Sequence, residues 1–176
     1  LQGKMGLSGS ITAQEALGTH SNQIGSTAKA VIKIAFITES LGFLGLTLLL
    51  APLKGLKDAM YEAFFLCISA FNNAGFALNG NNMTAYVRQP MISFIISLLI
   101  ITGGIGFLVI LDIIKHKRWQ KFTLHTKVMV LGTLALNIIG CILYWLLERH
   151  NAKTIGGLSE AGQWFASWFM AVTSRT

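Results

Sequence analysis

The sequence predicts an all-α membrane protein made of repeated span–pore helix–span units. Composition, the length of the apolar runs and the placement of charge all point to it. Of the residues, 53% are hydrophobic and only 12% charged, about half the roughly 25% charge of a water-soluble domain. That excludes an ordinary cytosolic enzyme. The 14 Lys and Arg against 7 Asp and Glu give a net charge of +7, but these bases flank apolar runs and form no aromatic-interleaved patch. They fit a membrane protein with basic loops and argue against nucleic acid as a partner. Cys67 and Cys141 lie far apart inside apolar stretches and read as small apolar fillers.

Residues 1–27 are polar and rich in Gly and Ser, and read as a connector outside the membrane. Residues 34–51 form the first long apolar run, interrupted by Glu39, with Lys29 and Lys33 placed to snorkel at its entry and Pro52 closing it. Residues 91–114 are the clearest spanning candidate, with Asp112 near the end. Residues 128–147 form a third, whose most polar residue is Asn137. Each approaches the roughly 20 residues that a spanning helix needs.

Two further apolar stretches, 58–71 and 160–172, are too short to span. Both turn polar half-way, into Asn72-Asn73-Ala74-Gly75 and Thr173-Ser174-Arg175-Thr176 respectively. Each therefore reads as a re-entrant half-helix. At a shift of about 103 residues, Tyr61 falls on Trp164, Ala63 on Ala166 and Phe65 on Trp168, which suggests an internal repeat. The loop between residues 114 and 128 carries Lys115, Lys117, Arg118, Lys121 and Lys127 with no acid. That marks it as cytoplasmic, so both half-helices enter from the outer side.

Irregular backbone at membrane depth is tolerated only where protein or water covers it. A polar run at a half-helix tip thus implies a wet path or a polar loop between buried helices. A helix C-terminus carries about half a negative charge and favours a cation, and backbone carbonyls can replace its hydration shell. Gly75 stands where such a loop needs unusual backbone freedom.

Ser69-Ala70-Phe71-Asn72-Asn73-Ala74-Gly75-Phe76 resembles the second filter segment of the Trk/Ktr/HKT superfamily of potassium transporters. Gly103-Gly104-Ile105-Gly106-Phe107 followed by Asp112 resembles the second helix of that repeat, and Leu124-His125-Thr126-Lys127 the start of the next. Val172-Thr173-Ser174-Arg175-Thr176 is similar to the third filter segment, with Ser174 where many members have Pro. Gln14-Glu15-Ala16-Leu17 resembles the link from the first repeat. The likeness covers nearly the whole chain and is nearest the bacterial Ktr-type pore-forming subunit. It implies an internal fragment of a four-repeat pore. Residues 1–27 would be the cytoplasmic connector from repeat one, 28–114 repeat two, 115–127 the basic cytoplasmic loop and 128–176 the start of repeat three. The ion filter would comprise Asn72, Asn73, Ala74, Gly75, Thr173, Ser174, Arg175 and Thr176. The resemblance further implies K+ or Na+ as the transported ion, no covalently bound cofactor, a homodimer in the plasma membrane and a cytoplasmic nucleotide-binding regulatory subunit.

The other conspicuous residues have plainer readings. Glu39 would pair with a base of another repeat, and Asp112 with the neighbouring Lys115–Arg118 bases or a regulatory subunit. The Arg175 guanidinium would point into the protein and pin its loop. Gly103-Gly104-Ile105-Gly106 lies inside an apolar run with no preceding strand, so it marks close helix packing or a local bend rather than a dinucleotide loop. The four histidines form no metal set, and no nucleophile–base pair points to an enzyme. Two other classes remain. A secondary transporter with discontinuous helices would couple a small substrate to sodium or protons and needs an intramembrane acid, for which Glu39 is the candidate. A membrane enzyme needs a titrating cluster that the chain lacks.

Overall fold

The computed structural model describes residues 21–175, which contain no strand. Six α-helices follow one another: α1 (Ser21–Lys54), α2 (Leu56–Phe71), α3 (Pro90–Gly104), α4 (Phe107–His116), α5 (Leu124–Glu148) and α6 (Glu160–Thr173). The chain divides into two compact units, Leu1–Ile34 and Ala35–Thr176. Of the first, the described part is the opening of α1, which begins at Ser21, inside the range read as a polar connector. The rest of the connector, including the Gln14–Leu17 motif, lies outside the described residues. Everything below concerns the second unit.

Two stretches are long and apolar enough to cross a membrane, Thr27–Lys54 of α1 and Leu124–Glu148 of α5. They agree with the runs at 34–51 and 128–147. Pro52 does not close α1. The helix continues to Lys54 and stops at Gly55, whose φ of 84° leaves the helical region, so the reversal is set by glycine at the exit rather than by proline.

The 91–114 run is not one straight span. It breaks into α3 and α4, which meet at 93°. Pro90 starts α3 at the first helical position, where its missing N–H costs nothing. Gly106, at φ +97°, turns the chain into α4. The break has a packing cause. A Cβ on Gly103 would lie 1.7 Å from the Phe71 carbonyl oxygen, so the last turn of α3 sits directly on the C-terminus of α2. Of the two readings of this glycine motif, close packing and a bend, both hold.

The core gathers Leu46 and Leu50 of α1, Ala59, Ala63, Leu66 and Cys67 of α2, Ile92, Ile96 and Leu99 of α3, and Val172 of α6. Helix α3 packs between α2 and α6, and α5 covers α6. Small residues set the approach. A Cβ on Gly42 would meet Leu99 at 2.9 Å, and one on Gly140 would meet Ala171 at 3.2 Å. Between apolar helices in a bilayer, such contacts carry association because lipid is as apolar as leucine. The outward faces stay apolar: Leu48 is 76% exposed and Leu147 79%.

Asp112 pairs differently from the expectation. Its carboxylate lies 2.6 Å from His116 Nδ1 and accepts hydrogen bonds from Thr123 N (2.9 Å) and Thr123 Oγ1 (3.0 Å). Thr123 in turn caps α5, accepting from Thr126 N at 3.3 Å. Asp112 thus joins α4 to the start of α5, because the cap hydroxyl and amide reach it while the neighbouring lysines stay in solvent. Glu39 has no ion pair or hydrogen bond among the described residues.

Candidate functional site

The C-terminal turns of α2 and α6 border one cavity of about 770 Å³. Its floor is formed by Ser69, Asn73, Ala74 and Gly75, and one wall by Phe165, Phe169, Met170 and Thr173 of α6. Met83, Thr84 and Lys153 from the connecting loops ring it, and Tyr144 of α5 reaches it. Of the predicted filter residues, Asn73, Ala74, Gly75 and Thr173 therefore share one space. Asn72, Ser174 and Arg175 stand behind it, and Thr176 lies outside the described residues.

The α2 tip is built by its own backbone. Asn73 adopts left-handed φ (53°), which asparagine tolerates better than most residues. Its N–H bonds Ala70 O at 3.1 Å, and Ala74 N bonds Ser69 O at 2.8 Å. This pair of bonds is the Schellman cap, which satisfies the last carbonyls of the helix. Gly75 follows at φ +73° with nothing within 4 Å of a built Cβ, so backbone angle and not space demands glycine here. Next, Ser69 Oγ both donates to Phe76 O (2.7 Å) and accepts from Phe76 N (3.0 Å). One buried hydroxyl thus closes the loop that starts and ends on either side of Gly75.

The α3 break locks onto this tip. With its amide turned so that both atoms are satisfied, Asn73 Nδ2 donates to Ile100 O at 3.3 Å and Oδ1 accepts from Gly104 N at 3.3 Å. The Phe71 and Phe107 rings meet at 6.3 Å across the break.

The α6 tip is held differently. Ser174 N bonds Met170 O at 3.0 Å and Arg175 N bonds Val172 O at 3.3 Å. The Arg175 guanidinium turns away from the cavity and donates from Nη1 to Thr133 Oγ1 of α5 at 3.0 Å, as the sequence reading expected. Higher up, Trp145 of α5 stacks on Trp164 of α6 at 4.6 Å, with the Arg149 guanidinium 4.8 Å over Trp145.

A second polar group sits near the middle of α2, two turns before Ser69. Glu62 is 5% exposed. Its carboxylate accepts from Lys54 Nζ (2.6 Å), Asn79 Nδ2 (2.8 Å) and the Tyr86 hydroxyl. Burial first, and then the Glu62 carboxylate, raise the Tyr86 phenol above its ordinary value, so it remains a neutral donor at physiological pH.

The sequence places Ser69 in the filter segment without giving its hydroxyl a role, and does not point to Glu62 or Lys153 as parts of this region. Ser69 and Glu62 do carry a signal: they are seven residues apart on a helix and so share a face. Among the described residues, the cavity wall holds no carboxylate, histidine or thiol, and it exposes backbone around Gly75 to a wettable space.

A family of cation transport proteins, TrkH, matches residues 2–176. The Ktr system potassium uptake protein B of Vibrio alginolyticus is 41% identical over 169 residues, covering 93% of this chain and 37% of the relative. The protein of the same description from Bacillus subtilis is 41% identical over 175 residues, covering 98% of this chain and 39% of the relative. The potassium/sodium uptake protein NtpJ of Enterococcus hirae is 34% identical over 146 residues, covering 83% and 32%. The chain therefore spans less than two-fifths of the length of each of these relatives.

Proposed function

This chain belongs to the TrkH family of cation transport proteins, a transporter rather than an enzyme family, and we propose that it is part of the pore of a potassium uptake system. Its helices make it a multi-pass membrane protein. In the proposed reading, the cavity between the α2 and α6 tips is the outer part of the ion path. A potassium ion entering it sheds water, and carbonyl oxygens of Asn72, Asn73, Ala74 and Gly75 replace that water. Thr173, Ser174, Arg175 and Thr176 contribute from the α6 side. The negative end of the α2 dipole favours the cation, and fixed carbonyl dipoles keep the cost of dehydration low. Residues 28–114 then form repeat two, 115–127 the basic cytoplasmic loop and 128–176 the start of repeat three. Further segments would complete the ring.

The supporting observation is Gly75 at φ +73°, inside a loop closed by Ser69 and bordering the cavity. The names of the relatives support potassium as the ion, and one of them names sodium as well. We also propose a homodimer controlled by a cytoplasmic nucleotide-binding subunit. The secondary-transporter alternative draws no comparable support, since among the described residues the cavity wall holds no carboxylate to couple sodium or protons.

Gly75→Ser in the full-length protein tests this reading. A serine forced to positive φ costs roughly 1–2 kcal/mol of backbone strain and distorts the loop. Potassium uptake should fall and sodium competition should rise at unchanged membrane level. Parent-like uptake and competition would refute the filter assignment.

A further inference from the structure

The filter loop does not end at Phe76. From the α2 cap the chain runs back along α2, and it is fastened to that helix at two heights. The lower fastening is Ser69 on Phe76. The upper one is Glu62 on Asn79 at 2.8 Å. Ser69 and Glu62 lie two helical turns apart on one face, about 10 Å along the axis. Loop and helix thus form a ladder with two side-chain rungs, one above and one below the segment from Ala77 to Leu78.

We propose that Glu62 is a positioning residue for the ion filter, holding the outer limb of the loop through Asn79. This rests on the assignment of residues 72–75 as filter. Glu62 does not border the cavity, so it does not touch the ion. Its charge is instead held by Lys54 at the end of α1, at 2.6 Å, while Tyr86 from the 3-10 turn Asn82–Tyr86 donates to the oxygen that Asn79 uses. Asn79 Nδ2 also lies 3.2 Å from the Tyr86 hydroxyl, and Lys54 Nζ sits 5.2 Å over the Tyr86 ring. Four elements therefore converge on one buried carboxylate: α1, α2, the filter exit and the turn before α3. A buried acid without partners would be strongly unfavourable, and here every donor comes from a segment that must be in place for the loop to stand where it does. Losing the Asn79 rung leaves the helix cap and Ser69 intact but frees the outer limb.

The test uses the full-length transporter in cells lacking other potassium uptake, with membrane level quantified. The reference is Gly75→Ser. Asn79→Ala removes the rung without unpairing Lys54 or Tyr86. It should raise the KM for potassium and weaken discrimination against sodium by about threefold to tenfold, the worth of one hydrogen bond, with maximal rate per transporter held. Asn79→Asp sets two carboxylates together and should shift both further. The reciprocal pair Glu62→Gln with Asn79→Asp exchanges donor and acceptor and should bring both values back toward the parent. A merely structural Glu62 would change protein level and leave KM alone. If Gly75→Ser shifts selectivity while Asn79→Ala and Asn79→Asp leave it at the parent value, the positioning role is overturned and the filter stands. A reciprocal pair no better than Asn79→Asp alone also overturns it. If Gly75→Ser is silent as well, the filter assignment itself fails. Should Glu62→Gln not reach the membrane, the two Asn79 variants decide.

Discussion

The two half-helices differ most where they end. α2 caps itself: Asn73 takes the left-handed turn, Asn73 N and Ala74 N return to Ala70 and Ser69 carbonyls, and the Ser69 hydroxyl grips Phe76. α6 reaches outward: the Arg175 side chain spans to Thr133 on a different helix. The first tip is set by bonds within a few residues together with the α3 contacts of Asn73 and Phe71. The second has local backbone bonds too, and adds a side-chain tether to α5. Two helix tips on one cavity can thus be fixed mainly by local capping or with an added distant tether, and the two respond differently to damage.

The largest expected effect removes the contact on which the α2 tip does depend. Gly103→Ala would drive a methyl into the Phe71 carbonyl oxygen, at 1.7 Å, and neither backbone can yield easily. We expect a loss of about 3 kcal/mol, the upper part of the usual overpacking range. It should be read as a lower unfolding temperature and reduced membrane level of the full-length protein. A parent-like melting temperature would mean that α3 does not seat on α2 as described.

A paired measurement sharpens the contrast between the tips. Ser69→Ala removes two hydrogen bonds to the exposed Phe76 backbone, at about 1 kcal/mol each, and should loosen selectivity. Thr133→Val takes from Arg175 only its hydroxyl acceptor, at about 1 kcal/mol. Hydrogen exchange should then rise in residues 170–175 for Thr133→Val and in residues 72–79 for Ser69→Ala. Exchange rising in both places for either variant would dissolve the distinction between local and remote capping.

Much of this was legible in the residues. Runs at 34–51 and 128–147 are apolar over a spanning length, and the two short runs turn polar at the same relative point. The octapeptide from Ser69 to Phe76 gave the tip its family likeness. A bend at Gly103–Gly106 is legible in the glycines, but its size, 93° between α3 and α4, is not. Residues 91–114 are apolar throughout, and hydropathy has no term for a carbonyl oxygen pressing on Gly103 from another helix. Asp112 is legible in part for a related reason: its base partner lies within 115–118 but is His116, one turn on, and its other partner is the cap of the next helix, which sequence neighbourhood does not show. Glu62 carries little signal in sequence, because Lys54, Asn79 and Tyr86 come together around it only in the fold. The expectation that the Arg175 guanidinium points into the protein and pins its loop agrees with its bond to Thr133.

The most direct measurement concerns the space in front of Ala74. In the full-length protein, with Cys67 and Cys141 buried, Ala74→Cys places one thiol on the cavity floor. A membrane-impermeant cationic thiol reagent applied from outside should label it, and potassium should slow that labelling while an equal concentration of a large organic cation should not. Labelling that ignores potassium, or a thiol that no outside reagent reaches, would contradict the account.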